Sequence, residues 1–272
     1  MNTAVEPVTN LTPVQKQALC ELLLALADDE FVMGYANSEW TGIAPILEED
    51  IAFSSLAQDE IGHSRVFYEM LATLEEQSAD SIAYGREPSG FRNAQLVERG
   101  RGDWAYSVTR QFFYDTADFV RIESLQKSTY QPLAKAAAGI IREEKYHLLH
   151  ANTWLQRLAE GNAEAQQRQH TAFDALWPDA LGLFEPTSGA TELLATGILP
   201  EPFEALQNRW ITRIEEPLRR LSLPFPFIDA SERWDTHITP IYGGRRGEHT
   251  QSFLDLYSVF TSVYQLDPEA DW

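Results

Sequence analysis

The sequence predicts an all-α fold: a four-helix bundle with additional C-terminal helices. Three observations lead there. Long segments repeat apolar residues at three- and four-residue spacing. Strand-like alternation is almost absent, and no internal repeat or low-complexity tract interrupts the pattern. The breaks between the first long segments are short, so consecutive helices must return antiparallel. A single domain over residues 1–272 is expected, with the bundle at about 12–160 and a helical extension at about 161–272.

The first helix is expected over about 12–36. Thr12 is a suitable N-cap, Pro13 suits the first helical position, and Leu19, Leu22, Leu23, Leu26, Phe31 and Met33 follow at helical spacing. Gly42 and Pro45 punctuate the turn. A second helix is expected over about 46–75, and residues 78–102 form a polar, glycine-rich surface excursion with at most a short helix. The third helix covers about 103–127, "STYQP" turns the chain, and the fourth runs from about 132 to 159, stopping at Gly161. Shorter helices follow over about 163–177, ending before Pro178, at "ATELLATG", over about 201–220 and over about 249–265.

Charge narrows the partners. Forty-one acidic against 21 basic residues give a formal net charge of −20. Such a surface repels nucleic acid and anionic lipid, and favours a partner with a basic patch. The single cysteine, Cys20, excludes an internal disulfide and a cysteine metal site; within "ALCELLLALA" it is expected to pack as a small apolar residue. The N-terminus has no signal-peptide pattern, and no apolar run reaches the roughly 18 residues of a membrane span. A cytoplasmic protein is expected, with neither nucleic acid nor membrane as partner.

Two short stretches hold the chemistry. "AQDEIGHSRVF" carries Glu60 and His63, and "REEKYHLLHANTWL" carries Glu144 and His147. An i,i+3 pair lies on one helix face, so each offers one oxygen and one nitrogen to a common point. One such pair is commonly a surface coincidence. Two, each on the second helix of a hairpin, form the pattern of ferritin-like di-metal carboxylate bundles, which also take one carboxylate from each remaining helix.

That demand can be checked by reflection through the turns. Reflecting Glu60 through the turn near residue 45 reaches about residue 30, where Glu30 stands. Reflecting Glu144 through the turn near residue 130 reaches about residue 116, flanked by Asp115 and Asp118. Glu30 precedes Phe31, Val32 and Met33, so a solvent-facing acidic run, Asp28 and Asp29, is expected to end there. Asp115 lies among aromatics in "QFFYDTADF" and is preferred as ligand, with Asp118 as the alternative.

The candidate set is therefore Glu30, Glu60, His63, Asp115, Glu144 and His147. Carboxylates and imidazoles without thiolates suit iron, with manganese as the alternative, and four carboxylates balance two divalent ions. Asp59 and Glu143 are candidates for the carboxylates that orient the histidines, with Asp59 reaching His147 as the preferred pairing. The remaining histidines look uncommitted, and Tyr35, Phe112, Phe113 and Tyr114 are expected in the core.

The blocks "NSEWTGIAPILEEDIAFSSLAQDEIGHSR", "RQFFYDTADF", "REEKYHLLHANTWLQRL" and "YGGRRGEHT", with the final "DW", give the whole chain a resemblance to the phenylacetyl-CoA epoxidase family of phenylacetate degradation, multicomponent di-iron monooxygenases. The likeness is greatest to the C subunit. In that family the A subunit holds the di-iron site, while the typical C subunit is a structural partner without most of the ligands. Here Glu30, Glu60 and His63 stand where a C subunit usually lacks metal-binding groups. The resemblance implies two iron ions, a homodimer or a heterodimer with a homologous subunit, and an aromatic acyl-CoA substrate. It also implies a separate reductase, since no flavin, nicotinamide or iron–sulfur motif is present. Arg245 and Arg246 in "GGRRG" would then hold coenzyme A phosphates or, in a tight turn, pair with carboxylates of this chain or a partner.

Three functions follow as expectations. The first is O2-dependent oxidation of an aromatic acyl-CoA such as phenylacetyl-CoA. The second is a non-catalytic structural subunit of such a monooxygenase. The third is ferroxidase or iron storage, which the family blocks and the long C-terminal part disfavour.

Overall fold

The structure, a computed structural model, describes residues 10–231 and 233–270; the N-terminal stretch 1–9 and the closing Asp271–Trp272 lie outside the described residues. The fold is all-α. Nine α-helices occur among the described residues: α1 (Pro13–Ser38), α2 (Leu47–Glu75), α3 (Ala79–Tyr84), α4 (Trp104–Leu125), α5 (Gln131–Ala159), α6 (Ala163–Gly182), α7 (Ala190–Thr196), α8 (Phe203–Arg220) and α9 (Gln251–Phe260). The extended structure described is one two-residue antiparallel pair, Ile228–Asp229 with Trp234–Asp235. No helix of the described residues is long and apolar enough to cross a membrane.

The chain forms two compact units, and the C-terminal region is shared between them. The first unit holds residues 10–101, 186–193 and 242–270; the second holds residues 102–185 and 194–241, of which Glu232 is not described.

In the first unit α1 packs along α2 as an antiparallel hairpin. Thr12 caps α1 through a reciprocal capping box with Gln15, with Pro13 in the first turn, a combination that contributes on the order of 1 kcal/mol. α2 stops where Glu76 turns left-handed at φ 57°. Phe31, Tyr35, Tyr68, Tyr84 and Phe260 form a cluster of edge-on and tilted rings beside the hairpin, with Phe31 against all four of the others.

In the second unit α4 pairs with α5, and α6 and α8 pack on α4. Asp103 caps α4 by accepting from the Tyr106 N–H. Every α4 residue from Ser107 to Ile122 is buried, so its polar side chains must find partners inside the protein. Trp210 Nε1 donates to Thr116 Oγ1 at 2.9 Å, and Phe113 meets Trp177 at a ring-centroid distance of 4.6 Å.

Two element boundaries differ from expectation. α6 continues through Pro178 to Gly182. Proline removes one helical hydrogen bond, but buried Trp177, Ala180 and Leu181 hold the following turn, and the Pro178 carbonyl accepts from the Ile241 N–H at 2.9 Å. α9 ends at Phe260 rather than near 265, with a short 3₁₀ segment at Tyr264–Leu266.

Candidate metal centre

The first unit brings three of the sequence candidates together. Glu30 comes from α1, and Glu60 and His63 come one turn apart from α2. All three are buried, and one ligating atom of each lies within 4.8 Å of the others. His63 Nδ1 is 3.6 Å from Glu30 Oε2, too long for a hydrogen bond. Both carboxylate oxygens of Glu30 are buried without a hydrogen-bond partner. Burial pushes the Glu30 carboxyl up to about 8; the neighbouring Glu60 carboxylate adds to the rise and His63 opposes it. A carboxyl with no donor of its own, between a second carboxylate and an imidazole, is chemically suited to a cation.

The second unit carries the other candidates on α4 and α5. Glu144 Oε1 lies 3.3 Å from His147 Nδ1, and both side chains are buried. Asp115 is fully buried and accepts from the Gln111 amide. Asp118 is buried too, but it accepts from Arg121 Nη2 at 2.7 Å. An arginine already neutralises the alternative ligand.

Asp59 is half-buried and Glu143 is exposed. Arg245 is buried, and its guanidinium forks onto Asp29 at 2.8 and 2.7 Å. This is the pairing within the chain expected for a tight turn in "GGRRG". Arg246 is exposed, with Nη2 3.6 Å from Glu248. The expectation that Asp28 and Asp29 face solvent is corrected: both are fully buried, because arginines and backbone N–H groups from distant segments surround them. Arg86, Tyr68, Glu98 and His249 carry no sequence signal that marks them as polar partners. Arg86 sits in what reads as a surface excursion, and nothing local ties it to an aspartate 58 residues away.

The first unit also has a cavity of about 420 Å³ walled by Tyr35, Tyr84, Phe260 and Tyr264, with Asp80 on its lining. Its size and aromatic lining suit an apolar ring.

Comparison with known proteins places this geometry in context. The chain is 28% identical over 250 residues to the C subunit of 1,2-phenylacetyl-CoA epoxidase from Escherichia coli (strain K12), covering 92% of this chain and 97% of that protein. It is 25% identical over 187 residues to the A subunit of the same epoxidase from the same organism, covering 68% of this chain and 59% of that protein. The family described as phenylacetic acid catabolic protein matches residues 1–272, and the chain belongs to that family.

Proposed function

We propose that this chain is one component of a phenylacetyl-CoA epoxidase-like multicomponent monooxygenase and itself holds a pair of iron ions. The ligands would be Glu30, Glu60 and His63 with Asp115, Glu144 and His147. The observation that carries the reading is Glu30: two buried oxygens without hydrogen bonds, beside Glu60 and His63. Left alone, such a group is a liability that an apolar side chain would remove. With a divalent cation, the charge is balanced and the carboxylate has its partner. Iron bound there would supply dioxygen activation, with electrons from a separate reductase.

The chain's own residues would do the rest. Glu30 holds a proton when no metal is present and gives it up on loading, because metal ligands must be deprotonated. Burial of Glu60, His63, Glu144 and His147 keeps bulk water away. Gln111 orients Asp115 through its amide. The cavity of Tyr35, Tyr84, Phe260 and Tyr264 would take the ring of an aromatic acyl-CoA.

A second reading, a non-catalytic structural component, is favoured by the match to the epoxidase's C subunit over 97% of that protein's length. Iron analysis of protein purified from iron-replete, reducing conditions separates the two. Two iron ions per chain, lost in Glu60→Ala and His63→Ala, support the first. Wild-type protein that stays metal-free overturns the first.

A further inference from the structure

We propose that Arg86 and Arg245 form a two-armed clamp on α1 that leaves Glu30, out of three consecutive buried carboxylates, as the one presented to a cation. The inference rests on the metal reading above and identifies residues that position a ligand rather than bind the metal.

Asp28, Asp29 and Glu30 are successive residues with relative exposures of 0%, 0% and 1%. On a helix they point in three directions about 100° apart. Asp28 receives four donors: the Tyr68 hydroxyl at 2.5 Å, Arg86 Nη1 and Nη2 at 2.9 and 2.5 Å, and the Arg92 N–H at 2.6 Å. Asp29 receives the Ala94 N–H at 2.7 Å together with the Arg245 fork. Glu30 receives none on either oxygen. The chain has thus neutralised two of the three charges with its own arginines.

The arms are anchored. Arg245 Nη1 also donates to the Arg92 carbonyl at 2.7 Å and the Ala25 carbonyl at 3.2 Å, joining α1 to the 92–94 segment. A β-carbon on Gly244 would fall 2.1 Å from the Asn93 carbonyl oxygen, so the loop lies this close only as glycine. Beyond the arginine, Glu98 accepts from the Thr250 N–H at 2.7 Å and stands 3.1 Å from His249 Nδ1. The "YGGRRGEHT" block therefore grips α1 one residue before Glu30. A bidentate fork fixes angle as well as distance, which lysine cannot do.

The test uses anaerobic Fe(II) calorimetry and amide hydrogen exchange on the full chain. Arg245→Lys keeps the charge and loses the fork. It is expected to lower Fe(II) affinity at least tenfold and to speed exchange over residues 26–34 at least tenfold, with helix content unchanged. The double variant Asp29→Asn/Arg245→Met removes both charges. It should regain wild-type thermal stability while Fe(II) affinity stays low, and it carries the test if Arg245→Lys does not fold. Wild-type Fe(II) affinity in the folded variants, or unchanged exchange over 26–34, overturns the clamp. Arg246→Ala, at an exposed site, should move neither readout. If wild-type protein takes up no Fe(II), the metal reading fails, and exchange over 26–34 alone decides whether the clamp holds this segment.

Discussion

Gly34 of α1 rests against Ile61 of α2 so closely that a β-carbon on the glycine would lie 2.7 Å from Ile61 Cγ1 and 2.9 Å from the Ala57 carbonyl oxygen. Gly34 is one helical turn after Glu30, and the same β-carbon would come 3.2 Å from Glu60 Cβ. The two helices approach closely beside the pair of carboxylates they carry.

Gly34→Ala should therefore reverse the usual sign. Glycine to alanine inside a helix ordinarily stabilises by about 1 kcal/mol. Here overpacking should outweigh that and destabilise by about 1–3 kcal/mol. Gly62, on α2, has nothing within 4 Å of its would-be β-carbon. Gly62→Ala should raise thermal stability by up to about 1 kcal/mol, which makes it the internal control. Thermal unfolding of both variants checks the pair, and equal shifts in the same direction would show that the close approach is not limiting.

The metal-free protein should lose stability as pH rises. Glu30 sits at about 8 in the folded state against an ordinary carboxylate value of 4.5. Between those values the folded state binds the extra proton, so unfolding free energy falls with increasing pH. Stability from this group is fully present below about 4.5 and is lost as pH passes 8. Glu30→Gln should flatten that slope, and thermal midpoints from pH 5.5 to 8.5 test it. A wild-type slope unchanged in Glu30→Gln would remove Glu30 as its source.

How much of this was legible in the sequence depended on range. Apolar spacing and the Thr12–Pro13 start placed α1, α2, α4 and α5 because those signals are local. Glu30, Glu60 and His63 could be brought to one place by reflection through a short turn, since a helical hairpin converts sequence distance into height. Asp28 and Asp29 could not be read in this way. Their partners, Arg86 and Arg245, lie 58 and 216 residues away in segments without periodicity. Pro178 misled for the opposite reason: a strong local rule yielded to the packing of Trp177 and Leu181.

Cys20 should be nearly inert in the folded protein. Burial, with the Glu75 carboxylate 3.0 Å from the sulfur, pushes its thiol up to about 12. Only the thiolate attacks a disulfide reagent. Reaction with an aromatic disulfide at pH 8 should run at least about a hundredfold slower in native protein than in guanidinium, where the thiol returns to about 8.5. A native rate within tenfold of the denatured rate would contradict this burial.

The proposed assignment on α4, Asp115 as ligand and Asp118 as structural carboxylate, can be tested by substitution. Asp118 sits 2.7 Å from Arg121, and both side chains are buried. Asp118→Asn weakens the compensation of a desolvated guanidinium and should cost about 3 kcal/mol of stability in metal-free protein. Bound iron per folded chain should remain near wild type. Asp115→Asn removes a carboxylate whose Oδ1 accepts from the Gln111 amide, and asparagine can still accept there. Its metal-free stability should stay within about 1 kcal/mol of wild type, while iron content falls by half or more. Iron analysis and denaturant unfolding of the two variants, side by side, check this. The opposite pattern, iron lost in Asp118→Asn and retained in Asp115→Asn, would assign the ligand to Asp118 and the structural role to Asp115.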